Sequence, residues 1–406
     1  MTSQTTPPLA KNSPPFTIQK NVDRVLVPVI VRDKEGHIVE HLEEKDFQIF
    51  DNGKPRAINL FMIERRVKTF SATATNGSRG TILQDPAIKR RERSAPPRFI
   101  VLVFDDMHLS IEDMAAAKKA GTELLAGSLL DTDYVAVASL SGRTNSGLTQ
   151  DRAKLQETIT SLQPRSVLKP NQTDCPKLDY YEADLIENKH DQTALQDAEQ
   201  QLKICSTPPP DMLEEMAEMA ARRTFSAGQL DVKTSFGWIE RFIHAMSDLP
   251  GQRTLILVSP GFLTITPESM DAESHVIDAA ARSDVMVSAM DARGVYVAEM
   301  NASDDMRGRS PRAVTDFRRS AMMGAGGVMS ELADATGGTY FHGSNDLSAG
   351  LEKLADAPDC VYMLELSLDG IKQNGTYHRL KIKIDQEGVN VQARHGYFAP
   401  KPEKKK

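Results

Sequence analysis

Two adjacent carboxylates, an imidazole and a hydroxyl (Asp105, Asp106, His108 and Ser110) follow directly on the apolar run Phe99 to Phe104 in the stretch FIVLVFDDMHLS, residues 99–110. An unbroken apolar run rich in Val, Ile and Phe is the pattern of a strand buried on both faces of a parallel sheet. In open α/β sheets ligands bind in the crevice beyond the carboxyl ends of such strands. These side chains are therefore placed to hold a cation or a polar partner. A plainer reading stands beside that one. Ser110, with Asp113 three residues on, has the form of a helix N-cap, the two aspartates can bond loop amides, and His108 can be an ordinary loop side chain.

Other chemistry finds little text to rest on. The segment SPGF lacks the G-x-S-x-G pattern of a nucleophile elbow. No G-x-G-x-x-G or phosphate-binding loop occurs, and the glycines of ATGG read as a helix end that needs positive φ. The acids and histidines have no metalloprotease spacing. The expectation is a protein without catalytic activity. A net charge of −7 over 406 residues gives no general electrostatic reason to bind nucleic acid or an anionic membrane. No apolar run approaches the ~18 residues of a membrane-spanning helix. The opening MTSQTTPPLAKNSPPF lacks a basic-then-apolar secretion signal, which leaves a cytoplasmic chain or one whose signal was removed. Cys175, Cys205 and Cys360 form no C-x-x-C. The first two can close a ~30-residue loop, worth roughly 3 kcal/mol if oxidised, or stay as thiols, and Cys360 reads as a buried small hydrophobe.

The elements that must position the four side chains alternate strand and helix from Phe99 onward. FIVLVF is followed by SIEDMAAAKKAGTELLAGSL as a helix with acids in its first turn, then YVAVASL as a strand and LTQDRAKLQETITSL as a helix with Thr149 or Gln150 near its start. SFGWIERFIHAMSDL, RTLILVSPGF, MDAESHVIDAAARS and DVMVSAMDARGVYV repeat the order. Alternation of this kind implies a doubly wound, mostly parallel, Rossmann-type sheet with right-handed crossovers. Val25, Val27, Val29 and Val31 keep a period of two, and turns at DKEG and DNGK continue a small β unit. The C-terminal CVYMLELSLDGIKQNGTYHRLKIKIDQEGVNVQARHGYF is again all β. The two β segments are expected to pair into one β-sandwich. The organisation is then a disordered arm over 1–18, sandwich strands over 19–65, a linker over 66–98, an α/β domain over 99–358, the rest of the sandwich over 359–400, and a tail over 401–406. A helical insertion over 165–232 interrupts the α/β domain, and the polar text around 301–326 reads as a long loop. In the insertion, Met212, Met216 and Met219 share a helical face that can grip a partner or simply pack. Trp238 shares a face with Phe242 and Met246 and reads as core.

The motifs VPVIVRDKEG, LEEKDFQIFDNGKP, FDDMHLS, LTQDRAKL, LVSPGF, MDARG, ELADATGGTYF and ARHGYF together resemble the von Willebrand factor A-related family found largely in Acidobacteria, over nearly all of residues 20–400. The resemblance implies a von Willebrand factor A fold with a metal-ion-dependent adhesion site, usually for Mg²⁺, built from D-x-S-x-S, a later Thr and a later Asp. Carried onto this chain, it assigns oxygen ligands to Asp106, Ser110 and Thr149, with Asp105 behind them. Two departures follow. His108 stands where the first serine of the motif belongs, and Ser259-Pro260-Gly261 stands where Asp-Gly belongs. A histidine nitrogen suits Mn²⁺ or Zn²⁺ better than Mg²⁺. Loss of the third acid removes one negative charge.

The function expected from these readings is protein binding or adhesion through a degenerate metal site at the top of the sheet, in an exported bacterial protein. The alternatives are a scaffold that binds through the insertion and the sandwich without metal, and a hydrolase that uses the same acidic cleft. Oligomeric state stays open.

Overall fold

The computed structural model describes residues 24–34, 37–65, 97–127, 129–165, 174–206, 209–296, 306–356, 360–368, 370–372, 376–394 and 396–399. The arm over 1–18, residues 66–96 of the linker and the tail over 401–406 lie outside them. The chain opens with β1 (Arg24–Arg32), β2 (Phe47–Asp51), β3 (Lys54–Arg56) and β4 (Ile58–Arg65). Next come β5 (Arg98–Phe104), α1 (Ile111–Gly127), β6 (Tyr134–Ser139), α2 (Arg152–Ser161), α3 (Tyr180–Glu187), α4 (Gln192–Cys205) and α5 (Leu213–Met246). The α/β part ends with β7 (Gln252–Ser259), α6 (Pro267–Ser283), β8 (Val285–Asp291), α7 (Pro311–Thr336), β9 (Tyr340–Phe341) and α8 (Leu347–Ala355). Strands β10 (Cys360–Ser367), β11 (Tyr377–Ile384), β12 (Asn390–Ala393) and β13 (Gly396–Phe398) close the chain.

The protein is mixed α/β, with one parallel five-stranded sheet and two antiparallel four-stranded ones. The parallel sheet runs β6-β5-β7-β8-β9. Every residue of β5 is buried, because helices cover both faces. Phe99, Val101 and Val103 point into a core with α5, α6 and α7, and Ile100, Leu102 and Phe104 into one with α1, α2 and α8. The alternation of side chains along a strand gives each face its own core.

The antiparallel sheets run β12-β1-β10-β4 and β13-β11-β2-β3. Each therefore mixes N-terminal with C-terminal strands, and their inner faces share one core. Val25, Val27, Val29 and Val31 of β1 meet Tyr362 and Leu364 of β10, and across the gap Phe47 and Ile49 of β2 and Leu380 of β11. Tyr362 is fully buried, and its hydroxyl donates to the Val39 carbonyl at 2.7 Å and accepts from the Leu42 N–H at 3.2 Å. Cys360 is buried at the start of β10.

The helical insertion differs from the sequence reading at its end. Residues 213–246 form one helix of 34 residues, so the insertion and the helix beginning SFGWIERF are continuous. Gly228 does not break it. A Cβ there would lie 2.1 Å from the Tyr180 ring, so the glycine is where α3 packs closely on α5. The expected loop before GGVMSELADATGG is also helical from Pro311 onward. Pro311 suits the first helical position, and Ala313, Val314 and Phe317 at helical spacing are buried, Ala313 and Phe317 against the insertion. Arg309, just before this helix, pairs with Asp197 at 2.9 Å and with Glu182, and the Ser310 N–H bonds Asp197 at 2.8 Å. Cys175 and Cys205 are joined as a disulfide across 30 residues.

Deletion of residues 24–65 removes both neighbours of β10. Residues 360–399 should then lose their slow amide hydrogen exchange; retained protection would show that the C-terminal strands hold together without β1 and β4.

Candidate functional site

The strand order places the change of direction of the parallel sheet between β5 and β7, since the chain leaves β5 toward β6 and returns on the other side at β7. This is the topological switch point at which open α/β sheets bind ligands. Asp105 leaves β5 there and Ser259 ends β7 there. Asp105 is fully buried, and its Oδ2 accepts a hydrogen bond from the Ser259 Oγ at 2.6 Å. Its Oδ1 accepts from the N–H groups of Met107 at 3.1 Å and His108 at 3.0 Å.

His108 is the centre of the arrangement. Its Nδ1 lies 2.8 Å from Asp105 Oδ2, and its Nε2 bonds Asp231 Oδ2, from the middle of α5. The side chain of His108 is only 16% exposed, and those of Asp105 and Asp231 are 0% and 3% exposed. The Phe262 ring lies over the imidazole, with centroids 5.6 Å apart. Burial acts to lower the pKa of His108. The charge and hydrogen bond of Asp105, together with those of Asp231, outweigh it and push the group up to about 10. At neutral pH the ring is an imidazolium that donates from both nitrogens, one to each carboxylate.

Asp106, also buried, turns the other way. Its Oδ1 accepts from the Ser141 N–H at 2.8 Å and its Oδ2 from the Ser141 Oγ at 2.6 Å, so it fastens the loop after β6. Gly142, at φ 71° beside it, is required by close packing, since a Cβ would fall 2.2 Å from the Trp238 ring. Trp238 is accordingly half-buried at the rim of the core rather than inside it. Ser110 caps α1, with its Oγ accepting from the Asp113 N–H at 3.0 Å.

Thr149 is not part of this cluster, which corrects its assignment as a ligand. It forms a bridge with Val135, in register with Ile100 near the entry of β5, roughly 15 Å of strand from Asp105 at the exit. Its Oγ1 instead accepts from the Asp151 N–H at 3.0 Å ahead of α2. The set expected to hold a metal is therefore divided. Asp105 and Asp106 spend their oxygens on protein donors, Ser110 its hydroxyl on a helix cap, and His108 both ring nitrogens on carboxylates. Among the described residues no three His, Cys, Asp or Glu side chains are grouped to hold one. A divalent ion does not fit this donor set as it stands.

Three residues of the site escaped the sequence reading of the cluster. Ser141 stands in SGRTNSG, eight residues before Thr149, and the text around Ser259 suggests only a turn and the loss of a motif acid. Asp231 lies 123 residues from His108 in sequence. A signal for it exists: Phe225, Gly228, Asp231, Val232 and Ser235 occupy one buried stripe of α5, and an acid on such a stripe needs a partner.

No family model matches the chain, and no curated protein does. Among solved structures, an aerotolerance-related membrane protein from Bacteroides fragilis, with multiple mutations to serines, is 13% identical and covers 63% of this chain and 98% of its own, with a TM-score of 0.30. The conserved hypothetical protein BatB from Bacteroides thetaiotaomicron is 14% identical and covers 63% and 95%, with a TM-score of 0.29. Overlays this loose carry nothing about the site.

The folded pKa of His108 lies above its ordinary 6.5, so the stability it contributes is complete below about 6.5 and is lost as pH rises toward about 10. Denaturant melts between pH 6.5 and 10 should show a progressive decline that His108→Ala lacks. Near pH 6.5 the same substitution leaves Asp105 and Asp231 buried without their cation, and should destabilise by about 3–5 kcal/mol.

Proposed function

We propose that this chain is a non-enzymatic protein-binding module of the von Willebrand factor A type, in which a protonated histidine occupies the charge position that a divalent metal holds in adhesion sites of that type. The observation that carries the reading is the engagement of both His108 nitrogens by buried carboxylates, Asp105 at 2.8 Å and Asp231. Absence of catalysis is supported by the same contacts. The Ser259 hydroxyl donates its hydrogen bond to Asp105, and both His108 nitrogens face carboxylates rather than a hydroxyl that the ring could activate as a general base. The rim suits a ligand that presents a carboxylate. Arg143 and Arg165 are exposed there, placed by backbone bonds from Arg143 to Ser141 and from Arg165 to Asp106. The disulfide between Cys175 and Cys205 supports an exported protein in an oxidising compartment.

A second reading, docking through the insertion, draws on Met212 and Met219, which are 41% and 51% exposed on and beside α5, whereas Met216 packs on the insertion core.

Calorimetric titration of metal-stripped protein with Mg²⁺, Mn²⁺ and Zn²⁺ should show no saturable binding. His108→Ser, which leaves Asp105 and Asp231 facing each other without a cation, should lose melting temperature and regain part of it with Mn²⁺ or Mg²⁺. Saturable metal binding by the unaltered chain that Asp106→Ala removes would sink the proposal. Peptides selected from a display library on the full chain should be rich in Asp and Glu, bind equally in EDTA, and be lost with Arg143→Glu and Arg165→Glu. Loss with Met212→Gln and Met219→Gln instead would favour the insertion. Removing the disulfide by Cys175→Ser should lower stability by roughly 3 kcal/mol, measured by urea melts with and without reductant.

A further inference from the structure

At the opposite end of the parallel sheet, where the sandwich meets the α/β part, lies a cavity of about 330 Å³. That is the small end of the roughly 300–1,000 Å³ range of ligand pockets. Its existence follows from the period of two along the sandwich strands. Val27, Val29 and Val31 of β1 and Cys360, Tyr362 and Leu364 of β10 face the sandwich core. The alternate residues, Ile30, Val361 and Met363 among them, face outward and form one apolar wall of the cavity. Ala280, Val285 and Met286 form the other, at the end of α6 and the start of β8.

The charged side chains of the described lining are Arg253, Arg394 and Asp284. Arg394 Nη1 pairs with Asp284 Oδ1 at 3.2 Å. Arg253 reaches the same carboxylate only at 3.7 Å, beyond hydrogen-bond length, while its Nη1 donates to the Ser247 carbonyl at 2.6 Å. The Nε of Arg253 is buried with no hydrogen-bond partner among the described residues. Two guanidiniums thus share one half-exposed carboxylate beside an apolar chamber. Burial pulls the pKa of Arg394 down and Asp284 pulls it back, so a second carboxylate would be favoured there. The C-terminal ends of α6 and α7 reach the same rim, and their partial negative charge opposes an anion and weakens its binding.

We infer that this cavity binds a small amphiphilic carboxylate of the medium-chain fatty-acid class, with its head at Arg253 and its chain between Met286 and Met363. Such a ligand would bridge the sandwich and the α/β part.

The test is calorimetric titration of the full chain with octanoate and, in parallel, 1-octanol. One octanoate should bind per chain, with octanol about tenfold or more weaker. Arg253→Met should weaken octanoate by a similar factor and leave octanol unchanged, while Met363→Trp, which fills the chamber, should abolish both. Should Met363→Trp fail to fold, Ala281→Leu fills the space from the other wall. No saturable octanoate binding, octanol as tight as octanoate, or binding that survives a folded cavity-filling variant would each overturn the assignment.

Discussion

A buried cation between two buried carboxylates sets the geometry of the sheet end. Isolated, each of these three groups would be strongly disfavoured away from water; together, each carboxylate takes one ring nitrogen of the histidine. Asp105 belongs to a strand of the sheet and Asp231 to the long helix that carries the insertion, so His108 ties the two. The insertion cannot shift along the top of the sheet without separating Asp231 from the imidazolium. Ser259 and the amides of Met107 and His108 take up the remaining oxygens of Asp105. The same contacts that fix the loop deny it to a metal.

The distinction between the two acids of the FDD triplet is a matter of direction. Leaving the strand, Asp105 points toward β7 and Asp106 toward the loop after β6. One carboxylate therefore secures the helix side of the crevice and the other its β6 side. Asp106, the acid of the motif, is thus turned away from the crevice and held by Ser141.

Much of the fold was legible because burial enforces period. The apolar run of β5 and the alternating valines of β1 each reflect a face that must avoid water, and each lies where the pattern put it. Ser110 too was legible, since capping is local and involves residues three apart. What escaped was set by distance. Order along the chain points to Thr149, yet after Ser141 the chain runs antiparallel beside β6 and carries Thr149 back to the sheet's far end. Asp231 is joined to His108 only through tertiary packing. The helix from Pro311 was obscured by its polar and glycine-rich composition, because what stabilises it is the contact of Ala313 and Phe317 with an insertion that local text does not describe.

The interleaved sandwich has a consequence for the order of events during synthesis. Val25 pairs with Leu366 and Tyr362 with Ile63, so β1 and β4 each wait for the same strand. Until β10 leaves the ribosome, the first strands of the chain present open edges and an uncovered valine face while the whole α/β part is made and folds. Open edges of this kind invite pairing with other chains. A nascent molecule that still lacks residues 360–399 is therefore the form most exposed to aggregation, and strand β10 is the one that closes both edges.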